Sequence, residues 1–94
     1  VNPDLLSLIG CTGLARSALR RLAFERRRAG DGWRDVLRCA RAAGAAAPSA
    51  RWMRDTARQA EALGLTLVAF GDDGYPPLLG EIPDPPIGLF VAGR

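Results

Sequence analysis

Histidine and lysine are both missing from this chain. Without histidine, neither a Ser–His nor a Cys–His couple can form to activate a nucleophile, and the commonest nitrogen ligand for zinc is lacking. Cysteine is scarce: Cys11 and Cys39 are the only two, and they do not form a Cys-x-x-Cys unit. They read as reduced thiols that pack as small apolar side chains in the cytoplasm. Aromatic residues make up only 6%, so a core must be built from Leu, Ala, Val and Ile. No apolar run approaches the roughly 18 residues needed to span a bilayer. The first residues show no basic stretch followed by an apolar one, so no membrane partner is expected and the expected compartment is the cytoplasm. Neither a Gly-x-Gly-x-x-Gly fingerprint nor a P-loop occurs, so no cofactor and no small-molecule substrate are expected.

What is present is a globular composition, 48% hydrophobic and 24% charged, over 94 residues. That length supports one small core and no more than one complete domain. Charge is divided unevenly. Residues 1–64 hold twelve arginines against six acids, whereas residues 65–94 hold one arginine against four acids. The basic half suits an anionic partner. A bias toward arginine in the coding genome would produce the same excess with no partner at all.

Helical periodicity runs through the basic half. Asn2-Pro3-Asp4 opens a short first helix, with Asn2 or Asp4 as its cap and Leu5, Leu6, Leu8 and Ile9 on its apolar side. Gly10 is expected to end it in the left-handed conformation, and Thr12 to cap the next. A second helix is predicted over residues 14–28, with Leu14, Ala15, Ala18, Leu19 and Leu22 forming an apolar stripe and Arg16, Arg20 and Arg27 grouped on another face. A third is predicted over residues 32–43. Trp33, Val36, Leu37 and Ala40 lie on one side of it, and Arg34, Arg38 and Arg41 on another. The fourth, over residues 50–63, follows a Ser49 cap. Trp52, Met53, Thr56, Ala57, Ala60 and Leu63 share one face and Arg51, Arg54 and Arg58 the opposite one.

The character changes after Gly64. Residues 66–70 are a short, apolar, partly β-branched run between glycines, which reads as a buried strand. An acidic turn, Gly71-Asp72-Asp73-Gly74, follows, and then one helical turn in residues 75–79. A proline-rich stretch to Pro86 leads into a second strand over residues 87–92. The expected class is therefore α+β: a bundle of about four helices, then two short strands. Such strands would pair with each other, lie on the helices, or associate with another copy through an exposed edge.

Residues 64–93 closely resemble the segment that opens the Rossmann-like domain of the DprA (Smf) family of bacterial DNA-processing proteins. The resemblance rests on Asp73, Tyr75-Pro76, Leu79, Ile82, Asp84, Pro86, Leu89-Phe90 and Gly93, in that order after a strand. It implies that residues 1–63 are a helical N-terminal domain like a sterile-alpha-motif or helix-hairpin-helix bundle, and that residues 64–94 are the incomplete opening of a Rossmann-like domain. The family's Val-Gly-Ser-Arg-like motif, which helps form its pocket for single-stranded DNA, matches no position here, Arg94 included. The resemblance implies a parent protein that binds single-stranded DNA during natural transformation and helps load the RecA recombinase. Tyr75 and the prolines are expected to shape a crossover between strands rather than to touch a ligand.

Residues 8–18 look like a helix-hairpin-helix element, in which backbone N–H groups at a helix start bind a phosphate. The usual hairpin is Pro-Gly-apolar-Gly; here Cys11 and Thr12 separate the two glycines and the proline is missing. The candidate DNA-contacting residues are Gly10, Thr12, Gly13, Arg16, Arg20, Arg27, Arg34 and Arg38. Two readings stand beside each other. In one, the arginine stripes neutralise phosphates; in the other, they are solvated helix faces, partly paired with Asp55 and Glu61, on a module that binds protein. Trp33 and Trp52 lie on apolar faces and are expected to pack in the core. Asp72, Asp73 and Asp84 lack the partners that metal binding or acid catalysis would need. No catalytic residue is assigned, and the chain is expected to be non-enzymatic.

Overall fold

The computed structural model describes residues 2–83 and 85–92. Four helices precede two antiparallel strands, α1 (Pro3–Gly10), α2 (Arg16–Arg28), α3 (Trp33–Ala42), α4 (Ala50–Ala62), β1 (Leu65–Ala69) and β2 (Gly88–Ala92), with a short 3₁₀ turn at Pro77–Glu81. The chain is thus a small α+β domain. Asp84, Gly93 and Arg94, two of which belong to the family-like pattern, lie outside the described residues.

The first helix starts where the side chain of Asn2 accepts hydrogen bonds from the backbone N–H of Asp4 (3.0 Å) and of Leu5 (3.2 Å). Pro3 occupies the first turn, where its missing N–H costs nothing, and Asp4 meets the positive end of the helix dipole. Leu5, Leu6, Ser7 and Leu8 are all buried, four consecutive residues covering every side of the helix. A helix turn buried on successive sides belongs inside a fold rather than on its surface. Accordingly α1 packs on α3 and α4. Leu5 and Leu8 join Leu19 of α2 and Val36 and Ala40 of α3 in one cluster. Ala69 of β1 and Ile87, just before β2, complete that cluster, so residues from both sides of Gly64 share a core.

The two strands pair with each other, in the register Leu65↔Ala92, Leu67↔Phe90 and Ala69↔Gly88. One further bond, from the N–H of Phe70 to the carbonyl of Ile87 (3.0 Å), extends the ladder into the connection. The sheet lies against α4 through β1. Gly88 approaches so closely that a Cβ there would stand 2.9 Å from the carbonyl oxygen of Val68 and 3.2 Å from Cδ1 of Ile9.

Several local expectations are corrected. The glycine that takes a left-handed conformation after α1 is Gly13 (φ 85°), not Gly10, which stays helical. Gly10 is needed for space: a Cβ would fall 2.5 Å from the ring of Trp52. Thr12 does not cap α2. It forms an isolated antiparallel bridge with Ala46, and α2 begins two residues later than expected, after Ala15. Leu63 is 68% exposed, just past the end of α4 at Ala62, and Trp52 is 38% exposed, its ring lying against Gly10 of α1 rather than in the core. Ser49 caps α4 as expected, accepting from the N–H of Trp52 (3.0 Å). These differences yield a test. Leu8→Ala should cost about 2–5 kcal/mol, since Leu8 is fully buried. Leu63→Ala should change stability by no more than about 0.5 kcal/mol. Urea denaturation of the two variants measures both.

Candidate nucleic-acid interface

The loop between α1 and α2 is built to hold the fold together. The N–H of Thr12 donates to the carbonyl of Ala46 (3.0 Å), and the N–H of Ala46 returns a bond to the carbonyl of Thr12 (2.7 Å). Gly13 passes Gly44 so tightly that a Cβ would lie 2.8 Å from the Gly44 carbonyl oxygen. Arg16 reaches back across the loop and donates to the carbonyls of Ile9 (2.9 Å) and Cys11 (3.5 Å), satisfying acceptors at the end of α1. Beneath it, burial pushes the Cys11 thiol up from its ordinary value, and the Arg16 charge partly opposes the shift. The Thr12 N–H, one of the donors a hairpin-type phosphate site would use, is therefore committed within the chain.

The predicted arginines divide by what they touch. Arg27 donates to the backbone carbonyl of Asp31 (2.9 Å), and its guanidinium sits 4.6 Å from the centre of the Trp33 ring. Neighbouring Arg26 pairs with the Asp31 carboxylate at 2.7 Å. Arg34 lies 4.0 Å from Asp4 and Arg38 lies 3.5 Å from Asp35. Both pairs are well exposed, so their contribution to stability is small. Arg20 is also engaged and is half-buried. Gly10, Thr12, Gly13 and Arg16 thus cluster at one end of α2, Arg27 stands at the other, and Arg34 and Arg38 belong to α3.

Two arginines that the sequence did not single out, Arg21 and Arg28, are exposed. Among the described residues, neither forms a hydrogen bond or an ion pair. They flank Phe24, which meets Phe70 edge to face at 4.1 Å, and Phe70 in turn meets Trp33 at 5.9 Å. Between α2 and the segment after β1 lies a cavity of about 500 Å³, lined by Phe24, Arg27, Arg28, Phe70 and Tyr75. A second depression of about 310 Å³ shares Phe24 and Arg28 and continues past Arg21 and Arg20 to Ser17 and Pro83. The residues at i, i+3 and i+7, Arg21, Phe24 and Arg28, already share a helix face, which is the one signal the sequence offered. The opposite wall comes from residues more than forty positions away.

That wall is rigid for identifiable reasons. Asp72 accepts from the N–H of Ala69 (2.8 Å) and shapes the turn after β1. Tyr75, only 8% exposed, donates its hydroxyl to the carbonyl of Pro86 (2.7 Å) and ties the two ends of the connection together. Burial raises the Tyr75 phenol above its ordinary value of 10.0. Among the described residues no group of three His, Cys, Asp or Glu side chains is placed to hold a metal ion, and no helix is long and apolar enough to cross a membrane. Compared with family models, curated proteins and solved structures, the chain shows no significant match.

Tyr75 is the only tyrosine, so its ionisation can be followed directly by ultraviolet absorbance. Its contribution to stability is intact below the unfolded pKa of about 10 and is lost as pH rises through the higher folded value. The native chain should therefore ionise its phenol above 10.0 and the denatured chain near it; a native midpoint at or below the denatured one would contradict the burial of Tyr75. Tyr75→Phe should cost about 1 kcal/mol.

Proposed function

We propose that this chain is the N-terminal accessory region of a DprA-like DNA-processing protein and adds electrostatic contacts to single-stranded DNA. In this reading the four helices are the sterile-alpha-motif or helix-hairpin-helix-like part. The two strands are the opening of a Rossmann-like domain. The parent protein passes bound DNA to the RecA recombinase. The resemblance of residues 64–93 supports the family; the connection that Tyr75 and Pro86 shape joins two directly paired antiparallel strands rather than forming the expected crossover. The observation that carries the DNA contact is the pair of exposed arginines, Arg21 and Arg28, which form no hydrogen bond or ion pair among the described residues and lie beside half-buried aromatic rings on one face of α2. Loss of all histidine supports binding rather than catalysis.

A second reading, a protein-docking module, draws on a different surface. Pro3, Leu6, Ala50, Met53 and Ala57 line an apolar depression between α1 and α4, and Leu78 is 76% exposed. A partner seated there would be retained at high salt and after nuclease treatment.

Fluorescence anisotropy with a labelled single-stranded oligonucleotide separates the two. Two phosphate contacts predict a log–log salt slope of about −1.4. Arg21→Glu combined with Arg28→Glu should abolish binding at low salt while the fold, followed by circular dichroism, is kept. Absence of binding at low salt, or binding indifferent to the double substitution, would sink the DNA reading.

A further inference from the structure

We infer that the cavity between α2 and the connection after β1 receives one unstacked base of a single-stranded DNA, with the flanking phosphates on Arg28 and Arg21. The inference rests on the DNA reading above and adds to it a specific seat for the base.

Four observations converge on this cavity. Its volume, about 500 Å³, falls within the range of pockets that enclose small organic ligands. Its lining combines half-buried aromatic rings with guanidinium groups, the combination on which bases stack while phosphates are neutralised. Phe24 and Phe70 meet edge to face, at an interplanar angle of 65°, so this contact takes up one face of one ring and leaves the other faces outside the pair. Arg27 is held in place by the Asp31 carbonyl and the Trp33 ring, and Tyr75 by the Pro86 carbonyl, so two walls are fixed before any ligand arrives. Preorganised walls reduce the entropic cost of binding.

The neighbouring depression gives the strand a way out. It shares Phe24 and Arg28 with the first and runs along α2 toward Ser17, past the unpartnered Arg21. From Ser17 to Arg28 the helix rises about 17 Å, room for a short stretch of strand. Among the described residues that line this depression, Glu25 is acidic, and its charge opposes a phosphate there. Charge on the α2 side favours an anion, since Arg21, Arg27 and Arg28 outnumber Glu25 there, whereas Asp72, Asp73 and Glu81 follow the lining residues Gly71 and Gly80 in sequence, so the phosphates belong on the α2 side.

The decisive measurement compares a short oligothymidylate with an abasic strand of the same length and charge, by anisotropy on the 94-residue chain. The base-bearing strand should bind about tenfold more tightly. Phe24→Leu should remove that difference and leave the abasic strand's affinity unchanged, whereas Arg28→Gln should weaken both strands alike. On the unsubstituted chain, the amide resonances of Gly71 and Gly80, which line the cavity, should move with the thymidylate strand and stay put with the abasic one. Equal affinity for the two strands would overturn the base seat and leave the electrostatic reading standing. Failure of both strands to bind at low salt would overturn both.

Discussion

Burial of α1 is the constraint from which the rest of this fold follows. An eight-residue helix is too short to be stable in water on its own. It exists here because Leu5, Leu6, Ser7 and Leu8, on successive sides of the helix, are all buried. Leu5 and Leu8 turn into the cluster with α2, α3 and the start of the sheet. Leu6 lines a depression with Ala50, Met53 and Ala57 of α4. Ile9 packs against that cluster and comes close to Gly88 at the start of β2. Arg16 and the Thr12–Ala46 bridge then close the end of the helix that the caps leave open.

Placing one apolar helix at the centre dictates what the other three can do. Each of them needs only a narrow buried stripe: Leu19 and Ala23 on α2, Val36 and Ala40 on α3, Ala60 on α4. Half-buried residues such as Leu22, Trp33 and Leu37 flank those stripes, and the arginines collect mainly on the faces beyond them. The fold then uses some of them internally. Arg16 satisfies carbonyls, and Arg26 and Arg27 hold the Asp31 turn and the Trp33 ring. Arg21 and Arg28 are left beside the aromatic rings. Arg41 on α3 and Arg54 and Arg58 on α4 are likewise exposed, but they lie away from those rings.

The acidic, proline-rich connection plays the complementary part. Asp72 is occupied by the turn it caps and Tyr75 by Pro86, so the residues that look most chemical in this half are scaffold. Their effect is to hold Phe70 and Tyr75 across from α2 and thereby create a lined cavity between segments distant in sequence. The same connection allows β1 and β2 to pair directly, in the register that sets Ala69 against Gly88.

Periodicity and punctuation alone determined the four helices and two strands, the Ser49 cap and the reliance on small aliphatic residues, because each depends on neighbours within a turn or two. The same local rules misplaced the left-handed glycine, assigned Thr12 to a cap and sent Leu63 inward. In each case a partner from elsewhere prevails: Gly44 beside Gly13, Ala46 beside Thr12, and a helix end that leaves Leu63 in water. The arginine stripes were legible as stripes, but which arginines stay unpartnered was not. That depends on carbonyls, rings and carboxylates brought up by tertiary packing, and a helical wheel has no information about them.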